Sequence, residues 1–203
     1  MLPDAVVHSQ YNQKFTSCSA HPDELLMELS AAIKLIGKGV LNHSKPQVWA
    51  DLGAGKGLFS SALSTLLSSG SMIYAVDQDK KALSSIKVNS TEVSLKTIHG
   101  NFTTLQLETG PLDGILMANS LHFVSDKIGL LQNLKRQLGS AGRFIIVEYD
   151  MRTPNRWVPY PISFEELKTF AEALNLSITK IGERPSVYNS SNIYSSVLEK
   201  QKA

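Results

Sequence analysis

An acid, three glycines at alternate positions and an amphipathic helix follow one another in the stretch from Val48 through Asp51, Gly53, Ala54, Gly55 and Gly57. The apolar run Val48-Trp49-Ala50 reads as a strand, and Leu58, Phe59, Ala62, Leu63, Leu66 and Leu67 form one apolar helical stripe. Glycine permits tight or positive-φ geometry and lets a ligand approach the backbone, so strand, turn and helix N-terminus make a pocket for a nucleotide-like ligand. The spacing is G-x-G-x-G, with Leu58 where a dinucleotide fingerprint would place its third glycine. No Gly-Lys-Ser/Thr closes the turn, which excludes a triphosphate-binding loop.

Further polar groups sit at the ends of apolar runs. Met72-Ile73-Tyr74-Ala75-Val76 is a second strand ending in Asp77, with Gln78 next. A carboxylate there accepts two hydrogen bonds from a ribose diol, or serves as an acid at the next helix N-terminus. His99-Gly100-Asn101-Phe102 follows the short strand Lys96-Thr97-Ile98 and reads locally as a Gly-Asn turn with Phe102 in the core. The continuous apolar run Leu112 to Ala118 is a buried parallel strand that delivers Asn119, Ser120 and His122 to its carboxyl edge. Ligands of open α/β sheets bind at that edge, near the topological switch point.

The run Asp51-Leu-Gly-Ala-Gly-Lys-Gly resembles the first motif of class I S-adenosylmethionine (SAM) methyltransferases. The resemblance extends through the other three segments and covers nearly the whole chain. It implies SAM as cofactor, with Asp51, Gly53, Ala54, Gly55 and Gly57 around its methionine end. Asp77 and Gln78 would then lie at the ribose, and Asn119 near the transferred methyl. It also implies that Asn101, where Asp is commoner, reads the adenine amine while Phe102 packs on the ring. The segment from Arg143 through Trp157-Val-Pro-Tyr-Pro resembles small bacterial methyltransferases. The Asn/Asp-Pro-Pro-Tyr/Phe signature of exocyclic-amine methylation on nucleic acids is absent.

The expected activity is therefore in-line transfer of a methyl group to a small-molecule acceptor. His122 is the candidate base, since a neutral imidazole accepts a proton near neutrality; the alternative is a structural histidine bonded to backbone. Glu148 and Asp150, at the end of the fifth strand, are candidates to orient the acceptor. Trp157 and Tyr160, in a proline-stiffened segment from Met151 to Ile162, are expected to cover the acceptor pocket with Tyr11 and Phe15, or else to pack Trp157 on the sheet edge. Arg184 to Tyr188 either lines the same mouth or turns the chain. The acceptor atom stays open among oxygen, nitrogen, sulfur and carbon, and the oligomeric state is equally open.

The elements that must position these groups follow from periodicity. The 203 residues, 42% of them hydrophobic, suit one domain. Its parts are a helical cap segment (1–45), a cofactor-binding core (46–150) and a substrate-side loop, helix and two strands (151–203). The expected fold is α/β, a Rossmann-like doubly wound sheet of seven strands, mostly parallel with an antiparallel last strand and helices on both faces. A first helix carries Leu25, Leu29, Ile33, Ile36 and Val40 from a start at Pro22 and Asp23. A later one carries Ile128, Leu131, Leu134 and Leu138 and stops at Gly139 and Gly142. Ser163 and Glu166 form a capping box for a helix with Leu167, Phe170, Ala171 and Leu174 on its apolar face.

Composition narrows the function classes. Net charge is +2 with scattered basic residues, so no nucleic-acid footprint is present. No long apolar span or signal peptide is evident, and a cytoplasmic protein without membrane contact is expected. Cys18 is the lone cysteine, which excludes an intrachain disulfide, and the scattered carboxylates form no metal-ligand set. The competing functions are a non-catalytic SAM-binding or partner-binding protein, an RNA methyltransferase, an aminopropyl transferase and an NAD-dependent oxidoreductase. The missing third glycine counts against the last.

Overall fold

A computed structural model describes residues 27–40, 45–88, 90–186 and 191–201. Tyr11, Phe15, Cys18 and the helix start at Pro22 and Asp23 lie outside the described residues. The described chain runs α1 (Leu29–Ile36), β1 (Val48–Leu52), α2 (Leu58–Leu66), β2 (Met72–Asp77), α3 (Lys80–Leu83), β3 (Ser94–His99) and β4 (Leu112–Ala118). After a 3-10 turn at Leu121–Phe123 come α4 (Lys127–Lys135), β5 (Leu138–Tyr149), α5 (Phe164–Ala173), β6 (Leu176–Pro185) and β7 (Asn192–Lys200).

The strands form one sheet in the order β3-β2-β1-β4-β5-β7-β6. The β3-β2, β2-β1, β1-β4 and β4-β5 pairings are parallel, whereas β7 runs antiparallel to both β5 and β6. Parallel strands buried on both faces read as apolar runs because alternate residues feed opposite cores. Ala50, Leu52, Ile115, Met117, Phe144 and Ile146 face the layer that holds Leu131 and Leu134 of α4 and Leu167 and Ala171 of α5. Trp49, Leu116, Ala118, Ile145 and Val147 face the layer of Leu35 and Ile36 of α1 and Phe59 and Leu63 of α2. The doubly wound sheet with its antiparallel last strand is thus as expected.

Packing explains two glycines within this frame. Trp49 is 1% exposed and pairs in register with Gly114. A Cβ at Gly114 would lie 2.3 Å from the indole, so glycine makes the room the ring fills. Gly39, just past α1, lies where a Cβ would come within 2.8 Å of both Ile145 and Val197. Helix α1 ends at Ile36 with Gly37 as its C-cap, the chain beyond it runs close over the sheet at Gly39, and buried Val40 lies beyond the helix rather than on it.

Three elements differ from expectation. α4 ends at Lys135, and its buried residues are Lys127, Leu130, Leu131 and Leu134, while Ile128 is 40% exposed. Leu138 already belongs to β5, where pairing jumps from Leu112↔Leu138 to Gly114↔Arg143. Gly142 serves that irregularity, not a helix stop: a Cβ there would meet Leu112 O at 2.6 Å. Lastly, Arg184 and Pro185 are paired with Ile193 and Asn192, so they extend the antiparallel ribbon; Val187 and Tyr188 lie outside the described residues. The cap on α5 is as expected, with Glu166 N donating to Ser163 Oγ at 3.3 Å.

Candidate functional site

Strand order reverses between β1 and β4, whose carboxyl ends therefore border a crevice at the switch point. From β1 the chain turns through Gly53, Gly55 and Gly57 at φ of 81°, 53° and 81°. These left-handed values favour glycine. Space demands it as well: a Cβ at Gly53 would lie 2.4 Å from Ser120 Cβ, and one at Gly57 2.4 Å from Ile86 Cγ2. Gly53 and Ala54 donate their N–H groups to Val76 O at 2.8 and 3.0 Å, which pins the loop to β2. Helix α2 then starts from Gly57 with no side-chain cap from that residue, and the Ser60 N–H in its first turn goes to Asp51.

Asp77, at the end of β2, holds this loop from the other side. Its Oδ2 accepts the Gly55 N–H at 2.8 Å and its Oδ1 the Asp79 N–H at 2.7 Å. Each carboxylate oxygen keeps acceptor capacity beyond that bond, which is what a ribose diol requires. Gln78 is exposed, and its carbonyl oxygen lies 3.0 Å from His99 Nε2. His99 closes β3 opposite Asp77. Sequence reasoning gave it no role, because its partner is a backbone carbonyl that leaves no sequence signal.

Asp51 lies beneath the loop. It is 1% exposed, and Ser60 of α2 donates to its Oδ2 at 2.5 Å. Burial raises its pKa from 3.8 to about 7; the Asp77 charge adds to the rise, and the Ser60 hydrogen bonds oppose it. Asp51 thus ties β1 to α2 under the glycines.

Asn101 differs in detail from its expected use. Its Oδ1 accepts from Thr103 N at 2.9 Å and Thr103 Oγ1 at 2.8 Å, closing a turn on itself. A ligand amine reaching this oxygen must displace the Thr103 hydroxyl. Phe102 is 8% exposed and backs the glycine loop, with its ring edge 3.5 Å from the Cβ position of Gly53.

At the end of β4, Asn119 adopts φ 53°, an uncommon conformation for a residue with a side chain. It is 6% exposed, and both side-chain atoms, Oδ1 and Nδ2, lack a hydrogen-bond partner among the described residues. A buried amide left unpaired costs about 1–3 kcal/mol, a cost that a ligand or water bonding to Asn119 would relieve. Ser120 beside it donates to Leu52 O at 2.6 Å, joining the ends of β1 and β4.

His122 is fully buried. Its Nδ1 lies 2.7 Å from Glu148 Oε2, and its backbone N–H donates to Glu148 Oε1 at 3.1 Å. Glu148, expected to face the acceptor, therefore stands behind His122 with both oxygens engaged. The rings of Phe123 and Tyr149 flank the imidazole at 4.3 and 6.1 Å between centroids. Lys127, which sequence reasoning missed, is 7% exposed. Burial lowers its amine pKa, and the charges of Glu148 and Glu166 oppose that.

The segment after β5 is split between core and surface. Trp157 packs against the core layer of α1 and α2. Tyr160 donates its backbone N–H to His122 O at 3.0 Å, stays 42% exposed and carries Lys127 Nζ 5.6 Å from its ring centre. A surface hollow of about 480 Å³ beside Pro111 and Leu138 opens at the amino ends of β4 and β5. That is the opposite edge of the sheet from these groups.

Residues 50–146, from β1 into β5, match the family model described as a methyltransferase domain. The chain carries a methyltransferase domain on the class I fold. SAM is the cofactor this fold implies, and the chain's own groups fit it: a glycine cradle, a carboxylate with spare acceptor capacity and the unpaired Asn119 amide. No curated protein is significantly similar in sequence. Among solved structures, a TehB-like SAM-dependent methyltransferase from Corynebacterium glutamicum is 21% identical at TM-score 0.56, over 84% of this chain and 87% of that one. The magnesium protoporphyrin IX methyltransferase of Synechocystis, solved with bound SAM, is 15% identical at TM-score 0.60, over 84% and 77%. The 1,6-didemethyltoxoflavin-N1-methyltransferase of Burkholderia thailandensis is 19% identical at TM-score 0.60, over 84% and 79%.

Proposed function

We propose that this methyltransferase methylates a small-molecule acceptor at the carboxyl edge of β4 and β5, with His122 as the base. The observation that carries this reading is the buried His122–Glu148 pair at 2.7 Å, placed just past Asn119 on the β4 edge. When bound, the sulfonium supplies a methyl group whose bond to sulfur breaks, with its electron pair passing to sulfur, as the bond to the acceptor forms. The chain's work is to align the acceptor and keep water out, and proximity with orientation contributes about 7–11 kcal/mol in such cases.

The cofactor half, within residues 46–150, divides by chemistry. Gly53, Ala54, Gly55 and Gly57 with Asp51 beneath them hold the methionine end, and Asn119 offers its amide there. Asp77, with Gln78 beside it, holds the ribose. Phe102 packs the adenine, and Asn101 reads its amine once the Thr103 hydroxyl swings away. The acceptor side belongs to residues 151–203, with Tyr160 at the mouth and Trp157 as its packed anchor.

Two supports favour a small acceptor over RNA. The net charge of +2 gives little overall attraction for a phosphate backbone. Two proteins of similar fold, the protoporphyrin and toxoflavin enzymes, have small molecules as their named acceptors. The test is incubation with methyl-labelled SAM against a metabolite extract and against total RNA. Label in a low-mass product is expected, and label confined to RNA overturns the reading.

A further inference from the structure

We propose that Glu148 is a positioning residue that fixes His122 as its Nδ1–H tautomer, and that the acceptor atom is accordingly one that carries a proton. This inference rests on the methyl-transfer reading above and names the acceptor class: a hydroxyl or N–H nucleophile, in contrast to a thioether or tertiary amine.

Glu148 is 1% exposed on β5, and its neighbour Val147 pairs with Ala118, the last residue of β4. Oε1 accepts the backbone N–H of His122 at 3.1 Å, so the carboxylate is aligned by a donor that cannot change its protonation. Oε2 then faces Nδ1 at 2.7 Å. An ionised carboxylate only accepts, so the ring proton of a neutral imidazole lies on Nδ1 and the lone pair on Nε2. Phe123 and Tyr149 flank the imidazole at 4.3 and 6.1 Å and restrict its orientation.

This arrangement has a chemical consequence. As the acceptor atom bonds to the methyl carbon, its own proton passes to Nε2, and the imidazolium so formed is balanced by Glu148. A thioether or tertiary amine has no proton to give and gains nothing from such a pair. A fully buried carboxylate–imidazole pair is costly to keep, so its presence at this edge favours an acceptor that uses it.

The tautomer is measurable without acceptor or SAM. In the full chain labelled with 15N-histidine, long-range 1H–15N correlation at about pH 8 reports each ring, and the spectrum of His122→Gln assigns the signal. The expected result is a protonated Nδ1 and an unprotonated Nε2. In Glu148→Gln one oxygen still accepts the backbone N–H, which turns the amide NH2 toward Nδ1 as a donor; the expected result is a shift to the Nε2–H form. An Nε2–H or doubly protonated wild-type ring overturns the proposal, as does a His122 signal unchanged in Glu148→Gln. If that variant fails to fold, the wild-type spectrum decides alone. For the acceptor class, a labelled methyl on oxygen or on a nitrogen that had carried hydrogen supports the proposal, and a sulfonium or quaternary ammonium product overturns it. Failure of SAM to bind would remove the methyl-transfer reading and leave the tautomer result standing. An Nε2–H ring would remove this inference alone.

Discussion

Asp77 and Gly55 are joined by a hydrogen bond from the Gly55 N–H to Asp77 Oδ2 at 2.8 Å. The carboxylate proposed to hold the ribose thereby also braces the glycine loop. The proposed ribose contact and the order of the loop thus share one side chain. Asp77→Ala removes a charge-assisted bond, the kind worth about 1.5–3 kcal/mol. Amide hydrogen exchange across residues 53–57 is expected to quicken at least tenfold in that variant even without SAM. Unchanged exchange would mean that the loop stands without Asp77.

Asp51 carries a pH signature. Its folded pKa of about 7 lies above the unfolded 3.8, so between those values the folded state holds a proton that the unfolded state has released. Stability contributed by this group is therefore intact below about pH 4, falls as pH rises and reaches its full penalty above about pH 7, up to about 4 kcal/mol. Asp51→Asn keeps an acceptor for Ser60 and removes the titration. In urea melts its stability relative to wild type should grow markedly from pH 5 to pH 8, and a constant difference would contradict the assigned shift.

Gly53 tests the loop's steric limits. Any side chain there faces both φ 81° and Ser120 Cβ at 2.4 Å. Gly53→Ala should cost more than about 2 kcal/mol, since left-handed geometry alone costs about 1–2 kcal/mol. Thermal melts read this directly. The companion Gly110→Ala, where a Cβ meets nothing within 4 Å, should leave the melting temperature nearly unchanged.

Much of the proposed cofactor half was legible in the sequence because its residues lie close together along the chain. Asp51, Gly53, Gly55 and Gly57 lie within one turn, and Asp77 sits at the end of a strand that apolar patterning marks out. The acceptor half depends on contacts between distant segments. That Glu148 would turn both oxygens to His122, 26 residues away, follows from the register of β4 against β5, which no local pattern encodes. Gly139 and Gly142 misled for the same reason: glycine after a helix suggests a stop, whereas Gly142 serves a strand irregularity against Leu112 O. Lys127 was invisible because a lysine at the first position of a helix normally points to water.

His122→Ala should lower turnover about 10²–10⁴-fold, the usual range for removal of a positioned base, while affinity for S-adenosylhomocysteine stays within about threefold. The labelled-methyl assay with its identified acceptor separates the two effects. Wild-type turnover in this variant would remove His122 from the mechanism.

The proposed SAM site, built from the glycine loop and Asp77, is tested by calorimetric titration of SAM, S-adenosylhomocysteine and NAD into wild type and Asp77→Ala. Saturable binding of the first two to wild type is expected, with no binding of NAD and a loss of about 100-fold or more in affinity on removing the charged acceptor of two hydrogen bonds. Absence of SAM binding, or equal affinity in Asp77→Ala, would rule this site out.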